Sequence, residues 1–161
     1  MALSEQLVQV HQELRERLAS LRAGLTDGSI PQESVRRDSV PRDLLSHCLS
    51  FCTTIHTHHT GEDQQLFPAL RAAAPELTPL ISKLEEDHVL VAGILRQLRD
   101  LLTTRPVAPD PATLQRELDG LTAILESHFS FEERRIAAAL DGLGPENQFP
   151  AVFTPGLQFP T

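Results

Sequence analysis

Residues 77–102 read LTPLISKLEEDHVLVAGILRQLRDLL, and this stretch decides the fold. Apolar side chains recur in it at spacings of three and four residues, which predicts an amphipathic helix from about Glu76 to Leu102. The buried stripe of this helix is predicted to consist of Leu77, Ile81, Leu84, His88, Val91, Leu95, Leu98 and Leu102. His88 therefore stands where a leucine is expected. A polar group on a core-facing stripe needs a partner, because burying it bare costs several kcal/mol.

Three further stretches show the same periodicity and predict helices. They run from about Ser4 to Leu25, from Pro41 to Phe67 and from Pro111 to Leu140. Proline is favoured in the first turn of a helix, and Asp110 is expected to cap the last of these helices. Pro68 is expected to kink the second, after which one more turn continues.

Four amphipathic helices with short connections predict an all-α fold, an up-down-up-down antiparallel four-helix bundle. The connections are a polar loop that begins at the Asp27-Gly28 turn and ends at Val40, and a loop that contains Pro106 and Pro109. The bundle is expected to occupy residues 1–140. Residues 141–161 contain frequent proline and glycine and three phenylalanines, which predicts an extended, non-helical C-terminal tail that packs on the bundle or on a partner: Phe149, Phe153 and Phe159.

The composition excludes several classes of protein. The chain has 161 residues, 40% of them hydrophobic, which suffices for one domain with a real core. A net charge of −8 argues against a nucleic-acid partner. No apolar run reaches membrane-spanning length, and we expect a cytoplasmic protein. Lys83 is the only lysine among 14 basic residues, which is typical of a high-GC bacterial gene.

Six titratable residues lie on the predicted stripes of all four helices: His11, His58, Glu62, His88, His128 and Glu132. In an antiparallel bundle, residues at equal distance from a shared turn lie at equal height. His11 and His58 are about 21 and 26 Å from the same end of the bundle, at about 1.5 Å per residue. The same reasoning brings the other four to this middle layer. Four imidazoles and two carboxylates there predict a metal centre with two ions, for which mixed nitrogen and oxygen ligands favour iron or manganese.

Four segments resemble those of a known family. They are VHQEL at 10–14, HHTGEDQQLFPAL at 58–70, EDH at 86–88 and HFSFEE at 128–133. In this order they resemble the hemerythrin-like, HHE cation-binding proteins over about residues 5–140. The resemblance implies two iron ions, oxo- or hydroxo-bridged, with manganese or zinc as alternatives. It also implies a small diatomic or peroxide ligand, since family members bind dioxygen, decompose peroxide, sense oxygen or iron, or handle nitric oxide.

The sequence departs from the oxygen carriers of this family at one position. Those proteins place two histidines four residues apart on the third helix, whereas Leu84 and Ala92 flank His88 here. One iron would then have one fewer histidine, which disfavours reversible dioxygen carriage and favours sensing, peroxide or storage roles. Glu85 could reach the site instead, because residues three apart share a helix face.

Several alternatives remain open at the level of sequence. Glu133 competes with Glu132, and His59 would replace His58 in a slightly rotated register but is otherwise expected outside the ligand set or exposed. A zinc site could instead use Cys48, Cys52, His56 and His59, although two buried reduced thiols are the simpler interpretation. His56 is expected at the surface, and residues 85–87 are expected to form a solvated face. The corresponding functions are an oxidant-binding protein with a peroxide-decomposing activity, a non-enzymatic sensor or iron-holding module, and a zinc-binding structural bundle.

Overall fold

The computed structural model describes residues 1–26, 42–103, 110–144 and 146–156, and within these ranges it contains helices and no strands. The elements in chain order are α1 (Leu3–Thr26), α2 (Arg42–Gly61), a π-helical turn (Glu62–Leu66), α3 (Phe67–Ala73), a 3-10 turn (Pro75–Leu77), α4 (Thr78–Thr103), α5 (Pro111–Arg135), α6 (Ala137–Asp141) and α7 (Pro150–Phe153). The prediction of an all-α fold is confirmed. The predicted Asp27-Gly28 turn, both predicted loops and Phe159 lie outside the described residues.

Side-chain contacts define how the long helices pack. In the middle of α1, Arg15 pairs with Glu126 of α5 at 2.8 Å, and near the end of α1, Arg22 pairs with Asp119 at 2.8 Å. The partner's number falls as the number along α1 rises, so α1 and α5 run antiparallel. α1 also packs on α2, α2 packs on α4, and α4 packs on α5, which closes the bundle around one core.

The leucine stripes form this core as the periodicity predicts. On α4 the buried residues are Ile81, Leu84, His88, Val91, Leu95 and Leu98. The two ends of the stripe, Leu77 and Leu102, are only partly buried because they lie at the rims of the bundle. None of the helices in the described part of the chain is long and apolar enough to cross a membrane.

Pro68 does not end the second helical run, which continues from α2 into α3. Proline has no N–H to donate, and in a regular α-helix its ring would clash with the carbonyl four residues earlier. The π-helical turn directly before it widens the helix, and the Phe67 N–H bonds to the Glu62 carbonyl five residues back. Such widened turns are frequent at functional sites.

Two predictions for the C-terminal third are wrong in detail. Asp110 occupies the N-cap position of α5, but its carboxylate accepts a hydrogen bond from the Thr113 hydroxyl at 3.0 Å and not from a backbone N–H. The predicted fourth helix is interrupted at Ile136, where φ is −112° and ψ is 0°. The last turn of the bundle is therefore a separate short helix, α6.

The tail is not extended throughout. Pro150 starts one turn of helix, α7, because a proline at this position loses no helical hydrogen bond. Phe149 and Val152 are buried against the bundle, at 8% and 0% exposure. The sequence left open whether the tail packs on the bundle or on a partner, and the described part, up to Gly156, packs on the bundle.

Candidate metal centre

Seven titratable side chains meet in the middle of the bundle, and all seven are buried. Their ligand atoms form two groups, and within each group these atoms lie within 4.8 Å of one another. One group is His59, Glu62, His88 and His128, and the other is His11, His58 and Glu132. The structure thus brings together the six residues that the sequence singled out and adds His59.

Each of the two glutamates lies between the groups. The distances from a carboxylate oxygen to an imidazole Nε2 are 3.3 Å for Glu62–His58, 3.5 Å for Glu62–His88, 3.7 Å for Glu132–His11 and 3.2 Å for Glu132–His128. Both carboxylates therefore approach histidines of both groups. This is the placement that carboxylates need in order to bridge two adjacent cations.

Five of the donor atoms in this layer lack hydrogen-bond partners among the described residues. Both carboxylate oxygens of Glu62, both of Glu132 and Nε2 of His59 have none within the described part of the chain. Buried polar atoms are normally hydrogen-bonded, and an unsatisfied one costs about 1–3 kcal/mol. Unpartnered nitrogen and oxygen atoms that converge in two groups fit metal cations, which would satisfy all of them together.

The electrostatics favour neutral imidazoles at His58 and His59. Burial and the neighbouring His11 together lower the pKa of His58 to about 3. Burial and the nearby histidines also lower the pKa of His59 well below its usual value. At His128 burial acts in the same direction, but Glu132 and Asp87 outweigh it and raise the pKa. A neutral imidazole offers a nitrogen lone pair, which is the form that binds a metal.

The two carboxyl groups are electrostatically unequal. Burial and the nearby Glu132 raise the pKa of Glu62 well above its usual value. For Glu132 burial acts in the same direction, but Glu62 and His128 outweigh it and lower the pKa. In the absence of a cation, Glu62 thus tends to hold a proton beside the ionised Glu132. A bound cation would displace that proton, as metal binding generally does.

Four of the histidines form a hydrogen bond through Nδ1, on the side of the ring that faces away from the centre. The acceptors are Asp63 for His88 at 2.7 Å, Asp87 for His128 at 3.2 Å, Glu133 for His11 at 3.3 Å and the Val152 carbonyl for His58 at 2.7 Å. Metal-binding histidines almost always make such a bond, which fixes the ring and directs the other nitrogen at the metal. The Nε2 atoms of these four histidines face the two groups of donor atoms.

The acceptors on the bundle were not predicted from the sequence. Residues 85–87 do not form a uniformly solvated face, because Asp87 bonds to His128 and Glu85 pairs with Arg71. Glu85 is therefore not a donor to the centre. A signal was available in the chain, since an acidic residue adjoins Glu62, His88 and Glu132. In each pair one member lies in the centre and the other supports a histidine.

Glu133 supports His11 and does not compete with Glu132. The Glu133 carboxylate also accepts a hydrogen bond from Arg15 at 2.7 Å at the rim of the bundle, whereas Glu132 is fully buried. The interpretation based on the leucine stripe, which favoured Glu132, agrees with this placement.

His59 is the residue of the centre that sequence reasoning placed outside the ligand set or at the surface. It is only 5% exposed, and its ring stacks on His88 with 3.9 Å between centroids. The periodicity contains a signal for it: Ile55, His59 and Glu62 follow at spacings of four and three, and Ile55, His58 and Glu62 at spacings of three and four. An apolar face about 100° wide accommodates both histidines.

The alternative zinc site is not formed. Cys48 and Cys52 are free and buried, and neither belongs to a group of donor atoms in the residues that the structure covers. His56 is exposed, as predicted. The two cysteines are the small core residues that the simpler interpretation expected.

A helical bundle with buried histidines and glutamates on four helices defines a histidine–carboxylate metal protein. The family model of the hemerythrin HHE cation-binding domain matches residues 2–140. The chain belongs to this family and is a metal-binding, hemerythrin-like protein. No curated protein and no solved structure matches the chain significantly.

Proposed function

We propose that the chain is a non-haem di-iron protein that binds or reacts with a small oxidant: dioxygen, peroxide or nitric oxide. One ion would be held by His59, Glu62, His88 and His128, and the other by His11, His58 and Glu132. The observation that carries the proposal is the pair of glutamates, whose unpartnered oxygens lie between the two groups of imidazoles. Mixed nitrogen and oxygen ligation suits iron. When bound, an iron pair supplies electron transfer and open coordination positions.

His59 would take the place of the second histidine that the oxygen carriers have on their third long helix, which corresponds to α4 here. Ala92 leaves space next to His88, and the His59 ring from α2 stacks against the His88 ring. With His59 as a ligand, the first group has three imidazoles and one carboxylate. Neither ion would then be short of a histidine, contrary to the expectation from the sequence. Dioxygen binding is therefore as well supported as peroxide chemistry.

The access route to the centre favours a small ligand. A cavity of about 150 Å³ reaches His59 and His88 from the surface and is also lined by Thr60, Asp63 and Ala92. Sites for drug-sized molecules measure about 300–1,000 Å³. Three larger cavities lie at Met1 and Phe153 and around Arg17, away from this opening. A diatomic molecule or peroxide fits the small cavity, whereas a drug-sized molecule does not.

The decisive experiment is elemental analysis of freshly purified protein without a histidine tag, followed by anaerobic iron loading. We expect about two iron ions per chain, and absorption bands of a ferric pair after exposure to air. The matched variants are Glu62→Gln and Glu86→Gln. Glu62→Gln removes a carboxylate that approaches both groups and should lower the iron content at least to about one, whereas Glu86 is exposed and its substitution should not change it.

The same measurements distinguish the proposed di-iron function from the alternative functions. A colourless protein that holds less than one iron per chain after loading would contradict it. Zinc at stoichiometric amounts in the purified protein, with no exchange for iron, would support a structural bundle. Iron binding without any spectral change on addition of dioxygen, peroxide or nitric oxide would leave an iron-holding module.

A further inference from the structure

His58 differs from the other three supported histidines in the atom that accepts the hydrogen bond from its Nδ1. His11, His88 and His128 each bond to a carboxylate from the bundle itself. His58 instead bonds to the backbone carbonyl of Val152, which lies beyond the residues that the family model matches. A carbonyl can only accept, so His58 Nδ1 carries the proton and its Nε2 presents a lone pair to the centre.

The segment that provides this carbonyl, residues 146–156, is called the strap below. It ends the described part of the chain and folds back over α2. Val152 is fully buried, and Phe149 is nearly so. Within the strap, the N–H groups of Val152 and Thr154 bond to the carbonyls of Phe149 and Pro150 at 3.0 and 2.8 Å. The strap is therefore a folded element with its own hydrogen bonds.

Gly61 leaves the space in which the strap packs on α2. A Cβ atom at this position would lie 2.9 Å from the Ala151 Cβ and 3.1 Å from Val152 atoms. Any other residue would push the strap outward. Glycine in a helix interior is otherwise unfavourable, and its backbone here is ordinary helix with φ of −61°. The space that it leaves, one turn after His58, explains its presence.

The carbonyl and the imidazole satisfy each other. The last carbonyls of a helix have no partner inside the helix, and Val152 lies in a helix of a single turn. Its carbonyl is buried and would be unsatisfied without His58. If the strap lifts, His58 loses the bond that orients its ring and selects its tautomer.

We propose that the strap is a positioning element for the metal centre: by docking against Gly61, it places the Val152 carbonyl on His58 and thereby sets how tightly the group of His11, His58 and Glu132 holds its ion. The proposal rests on the proposed function, because it needs a metal at that group. Coupling of two binding events is reciprocal. Metal binding must therefore also hold the strap closed.

The test compares Gly61→Val with Gly120→Val. Both place the same β-branched residue inside a helix, but a Cβ at Gly120 meets no atom within 4 Å. Anaerobically loaded Fe(II) is titrated with a ferrous chelator. Loss of the partner behind a metal-binding histidine typically lowers affinity 10–100-fold. We expect such a loss for one of two ions in Gly61→Val and a change of less than about twofold in Gly120→Val.

A second readout reports on His58 itself. In the zinc-loaded protein, the proton on His58 Nδ1 should give a slowly exchanging NMR signal, since it is buried and bonded. The signal should persist in Gly120→Val and vanish in Gly61→Val. A general loss of stability would not remove it from a variant that circular dichroism shows to be folded.

A third measurement uses only the natural chain. Hydrogen exchange of the strap amides should slow when Fe(II) is bound. Three outcomes overturn the strap proposal while leaving the metal function intact: equal iron affinity in wild type and Gly61→Val, an Nδ1 signal that survives in Gly61→Val, or strap exchange that is indifferent to iron. If wild type itself binds no iron, the proposed function fails and the strap has no such role.

Discussion

His58 and His59 are adjacent in the chain, but they serve different groups of donor atoms. Neighbouring residues of a helix point about 100° apart. On α2 this angle directs His58 towards His11 and Glu132, and His59 towards His88 and His128. His58 has an acceptor behind it at 2.7 Å, whereas His59 Nε2 has no partner among the described residues. The adjacent pair lets one helix contribute to both groups of donor atoms.

His59→Ala tests whether His59 is a ligand. If it is, removing its imidazole should weaken the binding of one iron by at least about tenfold, the lower end of what even supporting residues contribute. His47→Ala is the matched control, because His47 lies on the same helix but is exposed, about three turns before His58. Chelator titration of the iron-loaded proteins measures the iron affinity of both variants. Equal affinities in the two variants would show that His59 merely packs against His88.

The two thiols give a prediction about alkaline pH. Burial raises the pKa of Cys48 to about 12, and burial, partly offset by Arg99, raises that of Cys52 to about 11. The ordinary value is 9.0. Between these values the unfolded chain has lost thiol protons that the folded chain retains, so the free energy of unfolding should fall as the pH rises from 9 to 11.

Chemical denaturation at a series of pH values measures this dependence. A Cys48→Ala, Cys52→Ala double variant is the control, and its stability should change less between pH 9 and 11. Thiol alkylation offers an independent check, since both cysteines should react slowly at pH 8 until the protein unfolds. Rapid alkylation of the folded protein would contradict the burial on which the prediction depends.

At the scale of the elements, apolar periodicity decides where helices form, and local chemistry decides how they end. The α4 stripe predicted both the helix and its buried face. The effect of Pro68 was not predictable in the same way, because a proline can end a helix, kink it or be accommodated by a wider turn. The last of these occurs here, and it sets the position of Glu62 at the start of the turn.

The orientation of α4 predicts that truncating two of its leucines lowers the free energy of unfolding by different amounts. Leu84 is fully buried, whereas Leu90, about two turns further along the helix, is 60% exposed. Leu84→Ala should lower the free energy of unfolding by about 2–5 kcal/mol, because it leaves a cavity in the core. Leu90→Ala should change it by less than about 0.5 kcal/mol. Urea denaturation of the metal-free proteins measures both, and similar costs would mean that α4 presents a different face to the core.

At the scale of the whole molecule, the sequence predicted the layer of titratable residues but not what supports it. Helix lengths and an antiparallel arrangement sufficed to bring six titratable residues to one height. The supporting contacts depend on side chains from neighbouring helices, as between Asp63 and His88. The bond from His58 to Val152 joins residues 94 positions apart and requires the tail to fold back. No periodicity encodes such a contact, although Gly61 marks where it occurs.

Metal removal should lower the stability of the whole bundle. The candidate ligands come from all long helices, so a bound ion would link them and stabilise only the folded state. At a free iron concentration of about 100 times the Kd, each site contributes about 2.7 kcal/mol. For a domain of this size each site then raises Tm by about 5–10 °C, and two sites together by about 10–20 °C. Differential scanning calorimetry of metal-free and loaded protein measures the shift, and identical melting curves would contradict metal binding to the folded bundle.

The same reasoning predicts a different effect for a variant that lacks one carboxylate of the centre. Burial and the nearby Glu132 raise the pKa of Glu62, so without a cation an ionised Glu62 lowers the free energy of unfolding at neutral pH. Glu62→Gln replaces it by a neutral group of the same shape. The metal-free variant should therefore melt at a higher temperature than the metal-free wild type at neutral pH, yet gain less from iron. A variant that is less stable than wild type in both states would mean that this carboxyl group stabilises the bundle by itself and is not retained at a cost for the metal.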